Sequence, residues 1–169
     1  EDIEELLRPI KDLDFPIKLD TNGTNPDILQ HLIDEKLLDY VAMDVKAAFS
    51  AYDWFKQGLQ ESVYEVGLKI EIEKKGYKVL QQEEFSVWYK GEKTDKRYRM
   101  DLVVVSPTIG NIILELKSLN AIDERQRRQL WSYMRLTNTS YGMLINFGPK
   151  KVYSEKWEFN SDNNSFVRI

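Results

Sequence analysis

Cysteine is absent from this sequence and histidine occurs once, at His31. Without cysteine there is no disulfide framework, thiolate nucleophile, cysteine-ligated zinc or iron–sulfur cluster. A single histidine likewise excludes a histidine metal cluster. That histidine is still open to a serine triad, but no Gly-x-Ser-x-Gly nucleophile elbow occurs. No apolar run approaches the roughly 18 residues of a membrane span, and the acidic start Glu1-Asp2-Ile3-Glu4-Glu5 is the reverse of a basic signal peptide. The chain reads as cytoplasmic with no membrane partner, and the missing initiator methionine suggests trimming. An excess of positive charge is missing too, since 24 Lys and Arg stand against 28 Asp and Glu for a net charge of −4. No global field draws the chain to nucleic acid, so a polyanion has to be held locally. Acid–base chemistry falls to carboxylates, lysines or a bound metal.

What is there is a 169-residue chain with 42% hydrophobic and 31% charged residues, enough for one sizeable core and a small second lobe. Residues 1–50 begin with an acidic amphipathic stretch broken by Pro9 and Pro16. Ile17 to Thr21 then reads as a strand, Asn25-Pro26 as a helix start, and Tyr40 to Val45 as a second strand. This is a βαβ lobe whose strands pair in parallel. Residues 51–57 form a linker or helix start, and a second domain occupies 58–169. There a helix runs from Leu59 toward Gly76, followed by strands at Tyr77 to Gln82, Phe85 to Lys90, Tyr98 to Val105 and Ile112 to Lys117. Gly91 to Arg97 reads as a charged loop, and the third and fourth strands as a hairpin. A helix over Ala121 to Leu136, a strand over Tyr141 to Phe147, a polar turn over Asn160 to Ser165 and a last short apolar run complete the chain.

Side chains alternate along a strand, so Ile113, Glu115 and Lys117 share one face, as do Arg99, Asp101, Val103 and Val105 on the preceding strand. A hairpin sets Asp101 beside Glu115 with Lys117 adjacent. Two carboxylates that close repel, and a shared proton or a hard cation such as magnesium relieves them. A neighbouring lysine orients or deprotonates water, or stabilises developing charge. These are the parts of a metal-assisted phosphodiester hydrolase. The plainer reading is a solvated sheet face with a weak Glu115–Lys117 pair. Against it, Asp101 sits between Met100 and the run Leu102 to Val105, and Glu115 sits inside Ile112 to Leu116, where charges usually have a partner or a purpose. Glu61 is either a helix N-terminal charge or a third acid at the site. Gln129, within a turn of Leu130 and Tyr133, is either a polar ligand to water or phosphate or a flank residue.

These residues lie in a pattern that resembles the GxxExxY family of the PD-(D/E)XK nuclease-like superfamily. Gly58, Glu61 and Tyr64 carry the name motif. It continues through Val87-Trp88-Tyr89-Lys90-Gly91, Arg99-Met100-Asp101-Leu102, Ile113-Leu114-Glu115-Leu116-Lys117, Gln129-Leu130-Trp131-Ser132-Tyr133 and Leu144-Ile145-Asn146-Phe147-Gly148. About 100 residues match in order. The resemblance implies a three-layer restriction-endonuclease-like α/β core, a central mixed sheet flanked by helices. It further implies Asp101 and Glu115 as ligands for Mg2+ or Mn2+, Lys117 as catalytic lysine, Glu61 as accessory acid and Gln129 as the helix motif residue. One departure is that Gln126-Arg127-Arg128 stands where such proteins often carry a histidine before the glutamine. In the first lobe, Lys18 to Pro26 and Tyr40 to Ala47 resemble two barrel strands of radical SAM glycyl-radical activating enzymes. With no cysteine for the cluster, radical chemistry is excluded on this chain.

The functional expectation is a metal-dependent enzyme hydrolysing DNA phosphodiester bonds, with Lys90, Arg99 and Tyr133 at the substrate. Rival readings are a non-catalytic scaffold on the same fold, or an accessory fragment of a radical SAM system. DNA is the expected partner and a homodimer is compatible with the sequence. Lys90, Lys93, Lys96, Arg97 and Arg99, or Arg125, Arg127 and Arg128, supply local positive charge for phosphates. Trp88, Tyr89 and Tyr98 are either base-stacking groups or core aromatics.

Overall fold

A computed structural model describes residues 3–13, 17–21, 28, 31, 32, 35, 37, 40–43, 46–106 and 110–169. The chain divides into two compact units, Glu1–Lys46 and Ala47–Ile169. In the first, helix α1 (Ile3–Lys11) precedes strands β1 (Lys18–Thr21) and β2 (Tyr40–Met43), which pair in parallel as expected. Leu7, Ile17, Leu32 and Leu37 form its core. The stretch expected to break at Pro9 instead carries it inside α1. Pro9 has no N–H to donate to the carbonyl of residue 5, so α1 runs its last two residues, to Lys11, without that hydrogen bond. The Asn25-Pro26 helix start lies outside the described residues. His31 is tied to Glu4 at 2.7 Å, an exposed surface pair. Among the described residues, no helix is long and apolar enough to cross a membrane.

The second unit carries helices α2 (Lys46–Phe55), α3 (Glu61–Glu73) and α4 (Glu124–Thr137) on a six-stranded mixed sheet. Its strands are β3 (Lys78–Tyr89), β4 (Glu92–Val105), β5 (Ile112–Lys117), β6 (Tyr141–Phe147), β7 (Val152–Asn160) and β8 (Ser165–Arg168). They lie in chain order across the sheet. Only β5 and β6 pair in parallel, linked by α4, while the other neighbours are antiparallel. The mixed sheet with flanking helices is the α/β core expected from the sequence.

Three details differ from the sequence reading. The expected strands Tyr77 to Gln82 and Phe85 to Lys90 are one strand, β3. No Gly or Pro interrupts them, and a left-handed residue at Gln82, with φ of 55°, bends the strand without ending it. The expected loop Gly91 to Arg97 is mostly the start of β4. A two-residue turn at Lys90-Gly91 closes the hairpin, with positive φ at both residues, as turns matching strand twist require. Strand β7 was not anticipated. Its burial pattern is irregular because Glu155 is buried like an apolar residue.

Helix α4 begins with a capping box, in which Asp123 accepts from Arg125 N and Gln126 accepts from Asp123 N. It ends on left-handed Asn138. Leu130 and Met134 pack directly over Gly142 of β6, where a Cβ would lie 2.6 Å from Met134 Sδ and 3.0 Å from Leu130 Cδ1. Arg127 anchors the other flank by donating to both Glu155 carboxylate oxygens at 2.8 and 2.7 Å. Tyr153 and Trp157 also donate to Glu155. The Arg127 bonds hold the Glu155 carboxyl down to about 2. The helix thus seats at close range on two fixed points.

Gly142→Ala is expected to overpack this contact and lower stability by about 1–3 kcal/mol, measurable by denaturant unfolding. Arg127→Ala is expected to leave the buried Glu155 carboxylate with Tyr153, Trp157 and the more distant Arg168 at 3.8 Å as its remaining partners and to cost up to about 3 kcal/mol in the same measurement.

Candidate active site

The site forms where β4 and β5 part. Their ladder pairs Val104 with Ile112, Val103 with Ile113 and Leu102 with Leu114. One step further the Leu116 N–H donates to Asp101 Oδ2 at 2.8 Å. A side-chain carboxylate thereby takes up a strand amide. Met100 and Val103 both enter the same core cluster although they are three residues apart. Strict alternation would put them on opposite faces, so the strand rolls over at Asp101. On the neighbouring strand, Gln81 pairs with Leu102 and Glu83 with Met100, which leaves left-handed Gln82 opposite Asp101.

Glu115 is 1% exposed and sits in the middle of β5. Its Oε1 accepts from Lys117 Nζ at 2.5 Å, whereas its buried Oε2 has no hydrogen-bond partner. Burial, reinforced by the Asp101 charge, pushes the Glu115 carboxyl up to about 7 against the pull of Lys117. Burial also raises Asp101, opposed by the Leu116 N–H and Lys117. It raises Glu61 as well, against Lys117 and the Ser118 backbone. For Lys117 itself burial acts downward, but Glu115, Glu61 and Asp101 outweigh it and hold the ammonium above its usual range. Lys117 therefore stays protonated at neutral pH, which favours charge stabilisation over the general-base role open at the sequence level.

The motif glycine and tyrosine aim Glu61. Gly58 has a φ of 86°, the left-handed region that favours glycine, two residues before the N-cap Gln60 of α3. Tyr64 is fully buried, stacked on Phe147 at 4.4 Å. Its hydroxyl donates to Lys56 O at 2.6 Å and accepts from Leu59 N at 3.2 Å. The tyrosine thus closes the turn that launches α3, and Glu61 stands in the first helical turn. Ser118 Oγ donates to Leu59 O at 3.0 Å, tying that turn to the end of β5. Asn146 fixes the chain after Lys117 by accepting from Leu119 N and donating to Leu119 O, each at 2.9 Å.

Glu61, Asp101, Glu115 and Lys117 are therefore one electrostatic cluster, as their mutual influence shows. Gln129 donates to the Tyr133 hydroxyl at 2.9 Å. The phenol is raised by burial and by the charges of Glu115 and Asp101, so both helix residues border the cluster. Arg99 is exposed two residues before Asp101, while Lys90 sits in the hairpin turn above the Tyr89 ring at 5.4 Å, away from the cluster. Arg127, a candidate phosphate contact in sequence, is committed to Glu155.

Two residues escaped the sequence reading. Glu65 is buried on α3, one turn after Glu61, and accepts from Gln82 Nε2 at 2.7 Å. Gln82 also hydrogen-bonds Asp101. The signals in sequence were the Glu61/Glu65 spacing of four and a polar Gln81-Gln82 pair inside a strand pattern. Neither is specific without the left-handed backbone that turns Gln82 into the site.

Among the described residues, no three His, Asp or Glu side chains are grouped as a complete metal cage. Magnesium does not require one, since it binds through one or two carboxylates with water and substrate phosphate. The unpartnered buried Oε2 of Glu115, in the field of Asp101, fits a hard cation.

A family model of the PD-(D/E)XK nuclease superfamily matches residues 39–158. The chain belongs to that superfamily. A segment is 51% identical over 51 residues to a protein of Methanocaldococcus jannaschii named for a glycyl-radical enzyme activating function. That match covers 30% of this chain and 21% of the relative, so the chain spans about a fifth of the relative's length. A solved structure titled for SSO0001 is 14% identical with a TM-score of 0.47, covering 95% of this chain and 80% of that one.

The pH dependence of stability follows from Glu115. Its folded value of about 7 lies above the ordinary 4.5, so the native state holds a proton that the unfolded chain releases. Stability is expected to fall as pH rises from about 4.5 to 7, by on the order of 3 kcal/mol, and Asp101 and Glu61 act in the same direction. Thermal unfolding across that range in a chelator checks it, and Glu115→Gln is expected to flatten the slope. At Gln82 the usual strand order reverses. Gly is expected to be tolerated better than Ala by about 1 kcal/mol, because φ of 55° strains any side chain. Chemical denaturation of the two variants provides the comparison.

Proposed function

We propose that the chain is a metal-dependent nuclease of the GxxExxY family that hydrolyses DNA phosphodiester bonds. The observation that carries this reading is the buried Glu115 carboxylate, with one oxygen on Lys117 and the other unpartnered, in the field of Asp101. A structural ion pair has no need of a second, half-buried carboxylate at that point, and the desolvation works against stability. Asp101 and Glu115 would hold Mg2+ or Mn2+. When bound, the cation supplies Lewis-acid polarisation of a phosphate oxygen and neutralises charge.

The protein's own groups divide the remaining work. Lys117, kept protonated by three carboxylates, stabilises negative charge developing on the phosphate. The Glu61 carboxyl, raised by burial, stands at the edge of the cluster, placed to hold a water or accept its proton. Gln129 orients the Tyr133 hydroxyl, which donates toward a substrate oxygen. Gln82 positions Asp101 and Glu65 rather than touching substrate.

A scaffold reading is favoured by the Lys117–Glu115 contact at 2.5 Å, a buried ion pair formed without any ligand. On that reading the Lys117–Glu115 pair is the finished structure. The decisive assay is cleavage of single-stranded, duplex and branched DNA with Mg2+ or Mn2+ at matched salt. The nuclease reading expects cleavage by the parent, lost by at least 100-fold in Asp101→Ala and Lys117→Ala. An inert parent with no calorimetric metal binding would leave the scaffold reading.

A further inference from the structure

The β3–β4 hairpin is longer than the sheet that supports it. Strand β5 pairs with β4 only at Leu102, Val103 and Val104, so residues 92–100 pair with β3 alone. The root of this ribbon is fastened where Phe85 stacks on Tyr98 at 5.7 Å and both rings pack on Tyr133. Tyr98 is therefore a core aromatic. Beyond it, Trp88 and Tyr89 are 63% and 65% exposed. Two adjacent large aromatics that contribute so little to folding are available for a partner.

Charge accompanies them. Between 86 and 99 five basic residues stand against two acidic ones, in a chain whose overall balance is negative. Lys93 pairs directly across the ribbon from Trp88. Lys90 lies over the Tyr89 ring and Lys96 over that of Tyr98. Lys90, Lys93 and Lys96 make no ion pair among the described residues, whereas Arg97 is shared with Glu84 at 3.8 Å. Exposed rings beside unpaired lysines suit a ligand with flat bases and a phosphate backbone. Paired bases within a duplex do not offer their faces to such rings.

We propose that the outer half of this hairpin is a stacking arm for unpaired nucleic acid, leading a single strand to the cluster at Asp101. The proposal rests on the nuclease reading for its destination but not for the binding itself. Lys93 and Asp101 belong to one strand, eight residues apart. At about 3.4 Å per residue the arm spans up to about 27 Å. Arg99 lies between tip and cluster as an exposed phosphate contact.

The test is fluorescence anisotropy with a labelled 20-nucleotide oligothymidylate and a 20-base-pair duplex, using the whole chain in EDTA so that nothing is cleaved. Trp88→Ala/Tyr89→Ala is expected to weaken single-strand binding at least about tenfold, with less than a twofold effect on the duplex. Lys93→Ala/Lys96→Ala is expected to lower the single-strand salt slope by about 1.4. Both variants change exposed side chains, and unchanged thermal unfolding verifies their fold. Tighter binding to duplex, no binding by the parent, or an aromatic variant that binds the single strand like the parent overturns the arm. A parent that binds through Trp88 yet cleaves nothing with Mg2+ leaves the arm standing and removes the nuclease reading. A parent that cleaves DNA with an affinity and KM unaffected by the aromatic variant does the reverse.

Discussion

The Glu115 carboxylate, almost wholly removed from water in the middle of β5, is the constraint around which the second unit is organised. Burying it is unfavourable, and Asp101 makes it more so. Lys117 relieves only one oxygen. Such an arrangement persists only if the surrounding backbone leaves the side chains nowhere else to go. The left-handed bend at Gln82, the roll of β4 at Asp101 and the amide of Leu116 on the Asp101 carboxylate do this from one side. The Gly58 turn closed by Tyr64 and the Asn146 clamp on Leu119 do it from the other.

Stability is supplied away from this cluster. The stacking of Tyr64 on Phe147, the close seat of α4 on Gly142 and the Arg127–Glu155 contact involve none of the site carboxylates. The two charged networks also respond to pH in opposite senses. Arg127 favours ionised Glu155 down to about 2, whereas burial favours neutral Glu115 up to about 7. The first is a fully satisfied buried charge, the second a partly satisfied one. That contrast separates a structural network from a candidate functional site.

The first unit is a different matter. Its parallel β1–β2 pair and small core of Leu7, Ile17, Leu32 and Leu37 form a lobe without a cysteine or a described acidic cluster comparable to that of the second unit. The chain's likeness to a protein named as a glycyl-radical enzyme activating enzyme is one of sequence over 51 residues. The cluster ligands that such chemistry needs are absent from the whole chain.

The site was legible in the sequence where local periodicity and motif spacing carry the information. Glu115 and Lys117 share a face because strand side chains alternate, and their apolar neighbours force burial. Asp101 could be set beside them because one hairpin joins β4 and β5. The helix α3 start was legible from Gly58, Glu61 and Tyr64. Strand β7 was not, because Glu155 becomes a core residue only when Arg127 from a distant helix neutralises it. Glu65 and Gln82 were missed because their roles depend on a left-handed backbone inside a strand, which propensity gives no reason to expect. The ambiguity of Trp88, Tyr89 and Tyr98 was likewise resolved only by which of them Tyr133 reaches. Sequence by itself determined the chemical groups and their order, since these follow from alternation and chain connectivity. Tertiary structure decided which charges are desolvated together and which aromatics stay in water, because both depend on what distant segments bring to the same place.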